Sequence, residues 1–160
     1  MLFARCGTFT KSRAHPRVTP MASAPEVTRA QPTVLLVEDD EALRRLLART
    51  LRCESFGVLE AENGQVALEV VRGFGGSLSL ALTDITMPVM DGFEFAKLFR
   101  SLYPSVPVLF MSGAMPRSSH AIPVLEVGTH LLLKPFGPDV LLEAISALLD
   151  HELRVYRTPA

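Results

Sequence analysis

The stretch Thr33–Cys53, TVLLVEDDEALRRLLARTLRC, changes its hydrophobic rhythm partway along. Thr33–Val37 is an unbroken β-prone run, and such a run suits a strand covered on both faces. Glu38, Asp39, Asp40 and Glu41 end it abruptly. Leu43, Leu46, Leu47 and Leu51 then recur at helical spacing, with Asp40 placed to cap the first turn. Strand, acidic turn and helix in that order open a βαβ unit.

The same alternation continues downstream. Gly57–Ala61 is a weak second strand, and Asn63 caps a helix carrying Val66, Ala67, Val70 and Val71 on one side. Gly73–Ser77 is a Gly-rich loop. Leu78–Thr83 is a third strand that ends at Asp84. Asp91 and Glu94 have capping-box spacing and open a helix with Phe95, Leu98, Phe99 and Leu102 expected inward. Pro104 and Pro107 bracket the turn into a strand over Val106–Met111. The following segment is broken by Pro116 and Pro123. His130–Leu133 is a fifth strand, and Gly137-Pro138 opens a last helix with Leu141, Leu142, Ile145, Leu148 and Leu149 as its apolar stripe. Strands alternating with helices at this spacing imply an α/β fold with a parallel sheet.

At 160 residues the chain holds one domain with a real core. Its 48% hydrophobic content is that of a soluble globular protein. The net charge of -1 gives no case for direct binding to nucleic acid or to an anionic membrane. No apolar run approaches the roughly 20 residues that span a bilayer. Cys6 and Cys53 form neither a disulfide framework nor a metal-ligand spacing, so a reducing, cytoplasmic setting is expected. Residues 1–31 are rich in Arg, Pro, Ser and Thr and carry one acid, Glu26. They lack the apolar segment of a secretory signal. A disordered tail is preferred to an organelle transit peptide, as is a start placed too early with Met21 the true one. The expected organisation is a tail over 1–31, a domain over 32–150 and a C-terminal tail over 151–160.

In an open α/β sheet, ligands bind beyond the C-terminal ends of the strands. Glu38, Asp39 and Asp40 follow the first strand, Asp84 the third, Ser112 the fourth and Lys134 the fifth. The topology would therefore collect carboxylates, one hydroxyl and one ammonium on one rim. Crowded carboxylates repel unless a cation neutralises them, and hard oxygen donors suit Mg²⁺. A carboxylate can itself attack phosphorus, and positive charge and a hydroxyl nearby can steady the transferring oxygens. Taken singly, each residue has an ordinary reading. The acid run fits a solvated helix start, Asp84 a turn, Ser112-Gly113 a loop and Lys134 a surface lysine. Their joint position is what favours chemistry. His15, His120, His130 and His151 form no cluster.

The blocks VLLVEDDEALR, LTDITMPVMDG, VLFMSGA and LLLKPF, in this order, resemble the signature blocks of the response-regulator receiver family. The likeness covers roughly Pro32–Asp150, and the tone of the blocks is similar to receivers of hybrid sensor kinases. The resemblance implies a flavodoxin-like, doubly wound (βα)5 fold with strand order 2-1-3-4-5. It also implies that Asp84 is the phosphoacceptor and that Mg²⁺ is held by Glu38, Asp39, Asp84 and the backbone carbonyl of Thr86, with Asp39 a direct ligand. Ser112 would follow the phosphoryl group and Lys134 would pair with it or with Asp84. The Lys134-Pro135 peptide would be cis. The implied partners are a sensor histidine kinase or phosphotransfer protein and a downstream protein of unknown identity.

Three positions depart from the family pattern. Leu131 stands where an aromatic switch residue often lies. Pro116 and Pro123 predict a short, shifted or irregular fourth helix. Thr86 and Ala114 occupy positions that influence phosphoryl loss, and Ala114 has no polar group to activate water, so slow self-dephosphorylation is expected. About ten residues follow Asp150, too few for a DNA-binding module, which suggests a receiver acting through protein contacts. Two alternatives stand beside this reading. One is a receiver-like binding module that works without phosphorylation. The other is a haloacid-dehalogenase-type phosphatase, which needs a second Asp where this chain has Thr86.

Overall fold

The computed structural model describes residues 31–114 and 129–155. Expectations for residues 1–30, for the fourth helix with Pro116 and Pro123, and for residues 156–160 lie outside these. The described elements are β1 (Thr33–Val37), α1 (Glu41–Cys53), β2 (Gly57–Ala61), α2 (Gly64–Gly73) and β3 (Leu80–Asp84). They continue with α3 (Gly92–Leu102), β4 (Val108–Ser112), β5 (Thr129–Leu133) and α4 (Pro138–Val155). The last helix thus runs beyond the Asp150 boundary expected from sequence.

The strands form one parallel sheet in the order β2-β1-β3-β4-β5. Helices cover both faces, which explains why β1, β3 and β4 read as continuous apolar runs. On one face Leu35 and Val37 of β1 pack with Ala67, Leu68 and Val71 of α2 and with Phe95, Ala96 and Phe99 of α3. On the other, Val34 and Leu36 meet Leu47, Ala48 and Leu51 of α1 and Leu141, Ile145 and Leu148 of α4. Alternation along β1 therefore feeds two cores rather than one core and solvent.

The helices begin where short polar side chains replace missing backbone partners. Asp40 accepts from Leu43 N, Asn63 from Val66 N, and Asp91 from both Phe93 N and Glu94 N. Two apolar expectations need correction. Leu98 and Leu102 of α3 are 42% and 49% exposed, because the buried stripe is Gly92, Phe95, Ala96 and Phe99. Leu46 of α1 is 61% exposed, since the helix turns Leu47, Ala48 and Leu51 inward instead.

Candidate functional site

The parallel register sets the rim. Val37 lies opposite Thr83, Asp84 opposite Met111, and Ser112 opposite Leu133. Glu38 and Asp84 therefore leave their strands at the same level, and Lys134 follows β5 at the level where Ser112 ends β4. The backbone N–H of Lys134 donates to Ser112 O at 2.7 Å, which continues the β4–β5 ladder by one step.

Lys134 is the centre of the cluster. Its Nζ donates to Glu38 Oε2 and to Asp84 Oδ2, each at 2.8 Å. The other oxygen of Asp84, Oδ1, accepts from the N–H of Ile85 at 2.6 Å and of Thr86 at 3.4 Å. Glu38, Asp39 and Asp84 each bring one carboxylate oxygen into a group in which all lie within 4.8 Å of one another. Glu38 is buried and Asp39 is exposed, so the cluster opens to solvent on the Asp39 side. Three carboxylates against one lysine leave an excess of negative charge in a partly desolvated place. That donor set fits a hard divalent cation such as Mg²⁺, which takes carboxylate oxygens and keeps waters.

The two charged partners of the ion pair respond differently to burial. Desolvation pushes the Glu38 carboxyl above its ordinary value, and the neighbouring Asp84 adds to this, despite the opposing hydrogen bond and charge of Lys134. Desolvation pulls on Lys134 in the opposite sense, but hydrogen bonds to Asp84 and Glu38 and their charges outweigh it and hold the ammonium above its ordinary value. The lysine is thus firmly charged, whereas charging Glu38 works against its surroundings.

The remaining residues singled out from sequence occupy distinct places. Ser112 is buried on the rim, and its hydroxyl donates to Ala114 O at 2.6 Å. Thr86 is exposed in the loop after β3. The Lys134-Pro135 peptide is cis. Leu131 is partly buried against the α2–α3 side of the core.

Several contributors gave no sequence signal. The buried Thr83 hydroxyl donates to Asp84 O at 2.9 Å. Gly92 N–H donates to Ile85 O, and a Cβ on Gly92 would collide with Asp84 O. The start of α3 is therefore pressed directly against the backbone of Asp84. Arg44 donates to the backbone carbonyl of Glu38. Spacing alone marks none of these, because each acts on a main-chain atom rather than on another side chain.

Residues 34–146 match the response regulator receiver domain family. Among curated proteins, the sensor kinase CckA of Brucella abortus is 32% identical over 121 residues, which is 75% of this chain and 13% of that protein. The response regulator protein FleR of Pseudomonas aeruginosa is 36% identical over 115 residues, 71% of this chain and 24% of that protein. The chain thus spans a minor part of both. Among solved structures, the receiver domain of the hybrid histidine kinase CckA is 33% identical with a TM-score of 0.63, covering 73% of this chain and 98% of that one. A CheY-like receiver domain protein of Methanospirillum hungatei is 26% identical with a TM-score of 0.71, covering 78% and 98%.

Proposed function

The chain belongs to the response regulator receiver domain family of two-component signalling, and on that premise we propose that it is a phosphoacceptor working at Asp84. In this reading a histidine kinase or phosphotransfer protein presents a phosphohistidine to the rim. A carboxylate oxygen of Asp84 attacks phosphorus, the P–N bond breaks, and the imidazole leaves with the bonding pair and takes up a proton. Glu38, Asp39, Asp84 and the carbonyl of Thr86 would hold Mg²⁺, which when bound supplies positive charge for the transferring oxygens. Lys134, already charged and already beside Asp84, would offer its ammonium to a phosphoryl oxygen. Ser112 would turn its hydroxyl from Ala114 to the new group.

The observation that carries this reading is Lys134 Nζ at 2.8 Å from both Glu38 Oε2 and Asp84 Oδ2, with Asp39 completing the acidic group. The match over residues 34–146 supports placing the receiver at 32–150, and signalling through contacts with a downstream protein, without direct binding to nucleic acid, is part of the proposal. Among the described residues no helix is long and apolar enough to cross a membrane. A cytoplasmic setting is part of the proposal. Hydrolysis of free phosphate esters is not, because Thr86 offers no carboxyl where a second acid would be needed.

Incubation with acetyl phosphate and Mg²⁺, followed by intact-mass and peptide mapping, tests the reading. One phosphoryl group on Asp84 is expected, and none on Asp84→Asn. Labelling that persists in Asp84→Asn, or no labelling in the parent, would refute it. With Ala114 beside the site, the phosphorylated chain is expected to outlast seconds, and rapid loss in a time course would contradict that.

A further inference from the structure

The loop that carries Glu38 and Asp39 is gripped from outside the rim. Arg44 of α1 donates from Nη1 to Glu38 O at 2.6 Å and reaches Asp39 O at 3.4 Å. Its Nε faces Glu60 Oε2 of β2 at 4.0 Å, and the other Glu60 oxygen accepts from Arg52 at 2.8 Å. The Arg44 side chain is only 15% exposed, unlike the free surface arginine that a helix pattern suggests. The Glu38 N–H also donates to Ala61 O of β2 at 3.1 Å. The acidic loop is therefore tied to β2 directly, by its own backbone, and indirectly, through Arg44 and Glu60.

We propose that Arg44 is a positioning residue for the divalent cation, fixing the Glu38–Asp39 backbone so that both carboxylates converge with Asp84. This rests on the rim being the Mg²⁺ site described above. Adjacent carboxylates repel, and turning both toward a third strains the loop that carries them. A planar guanidinium with several fixed donors can hold two successive carbonyls while a carboxylate holds it from behind. A lysine ammonium is a point charge and cannot span the same set. Partners that orient metal ligands in this way change metal affinity by roughly 10–100-fold.

Electrostatics alone gives the opposite sign. A fixed positive charge near a cation site weakens cation binding, so removing Arg44 would tighten it if charge were its only influence. With Arg44 as a positioning group, removal loosens the loop and weakens binding.

The full chain and its Arg44→Met, Arg44→Lys and Glu60→Gln variants separate these outcomes. Mn²⁺ binding is read by water-proton relaxation, and amide hydrogen exchange at Glu38–Asp40 is read in metal-free protein. Arg44→Met is expected to bind Mn²⁺ about tenfold more weakly. Its loop amides should exchange faster, with β4 unchanged. Arg44→Lys, which keeps the charge, should recover only part of both. Glu60→Gln, which leaves Arg44 in place but unsupported, should loosen the same amides, and it carries the test if Arg44→Met does not fold. Equal or tighter Mn²⁺ binding in Arg44→Met, full recovery in Arg44→Lys, or unaltered loop exchange in Glu60→Gln would overturn the assignment. A parent chain that takes up no Mn²⁺ instead sinks the reading of the rim as a metal site, and the role assigned to Arg44 with it.

Discussion

Charging Glu38 in the desolvated place beyond β1 and beside Asp84 opposes folding by more than Lys134 offsets. A group whose folded pKa is raised contributes stability that is fully present below its unfolded value and lost as pH rises through the folded one. For Glu38 that loss begins above its ordinary 4.5. Lys134 is also raised, so its contribution is intact below its ordinary 10.5 and disappears only at still higher pH. At neutral pH the lysine therefore supports the fold and Glu38 works against it. In metal-free buffer at pH 7, Glu38→Gln is expected to unfold at higher urea than the parent, with the gap closing toward mild acid. A parent that is the more stable at pH 7 would contradict this. A second residue-scale cost sits at Val89, whose φ of 69° places a β-branched side chain in the left-handed region. Met90 N–H donates to Pro88 O across it at 2.8 Å, a γ-turn. Val89→Gly is expected to raise stability by about 1 kcal/mol, the strain relieved less the backbone entropy of glycine. Equilibrium urea titration reads it, and a fall in midpoint would count against it.

At the scale of elements, α3 acts on the site through its first residue. A methyl on Gly92 would meet the backbone oxygen of Asp84, which cannot step aside without disturbing the end of β3. Gly92→Ala is therefore expected to cost about 2 kcal/mol, in the range for overpacked cores. It should also shift the amide signals of Asp84 and Ile85, and an unshifted spectrum would refute the contact. The same residue shows where sequence patterning fails. Counting apolar side chains pointed to Leu98 and Leu102, but the buried stripe runs through Gly92 and Ala96, which hydrophobicity undervalues. The strand ends were legible for the opposite reason. Charged residues stop unbroken apolar runs after Val37 and Leu133, and buried β1 and β4 leave little freedom in register. Arg44, Glu60 and Thr83 were not legible, because their partners are distant in sequence or are main-chain atoms that no spacing reveals.

For the molecule as a whole, two cores on opposite faces of one sheet hold the rim, so a ligand there should stabilise the entire fold. Mg²⁺ at about a hundred times its dissociation constant is expected to add roughly 2.7 kcal/mol, with Asp39→Asn losing most of the gain. Thermal unfolding with and without Mg²⁺ measures this, and an equal rise in Asp39→Asn would place the ion elsewhere. Ser112 adds a last constraint. A hydroxyl has a single hydrogen to give, and here Ala114 holds it. Any newcomer at the rim that recruits this alcohol as a donor must evict that carbonyl, so the chain just past β4 registers the arrival by losing a bond.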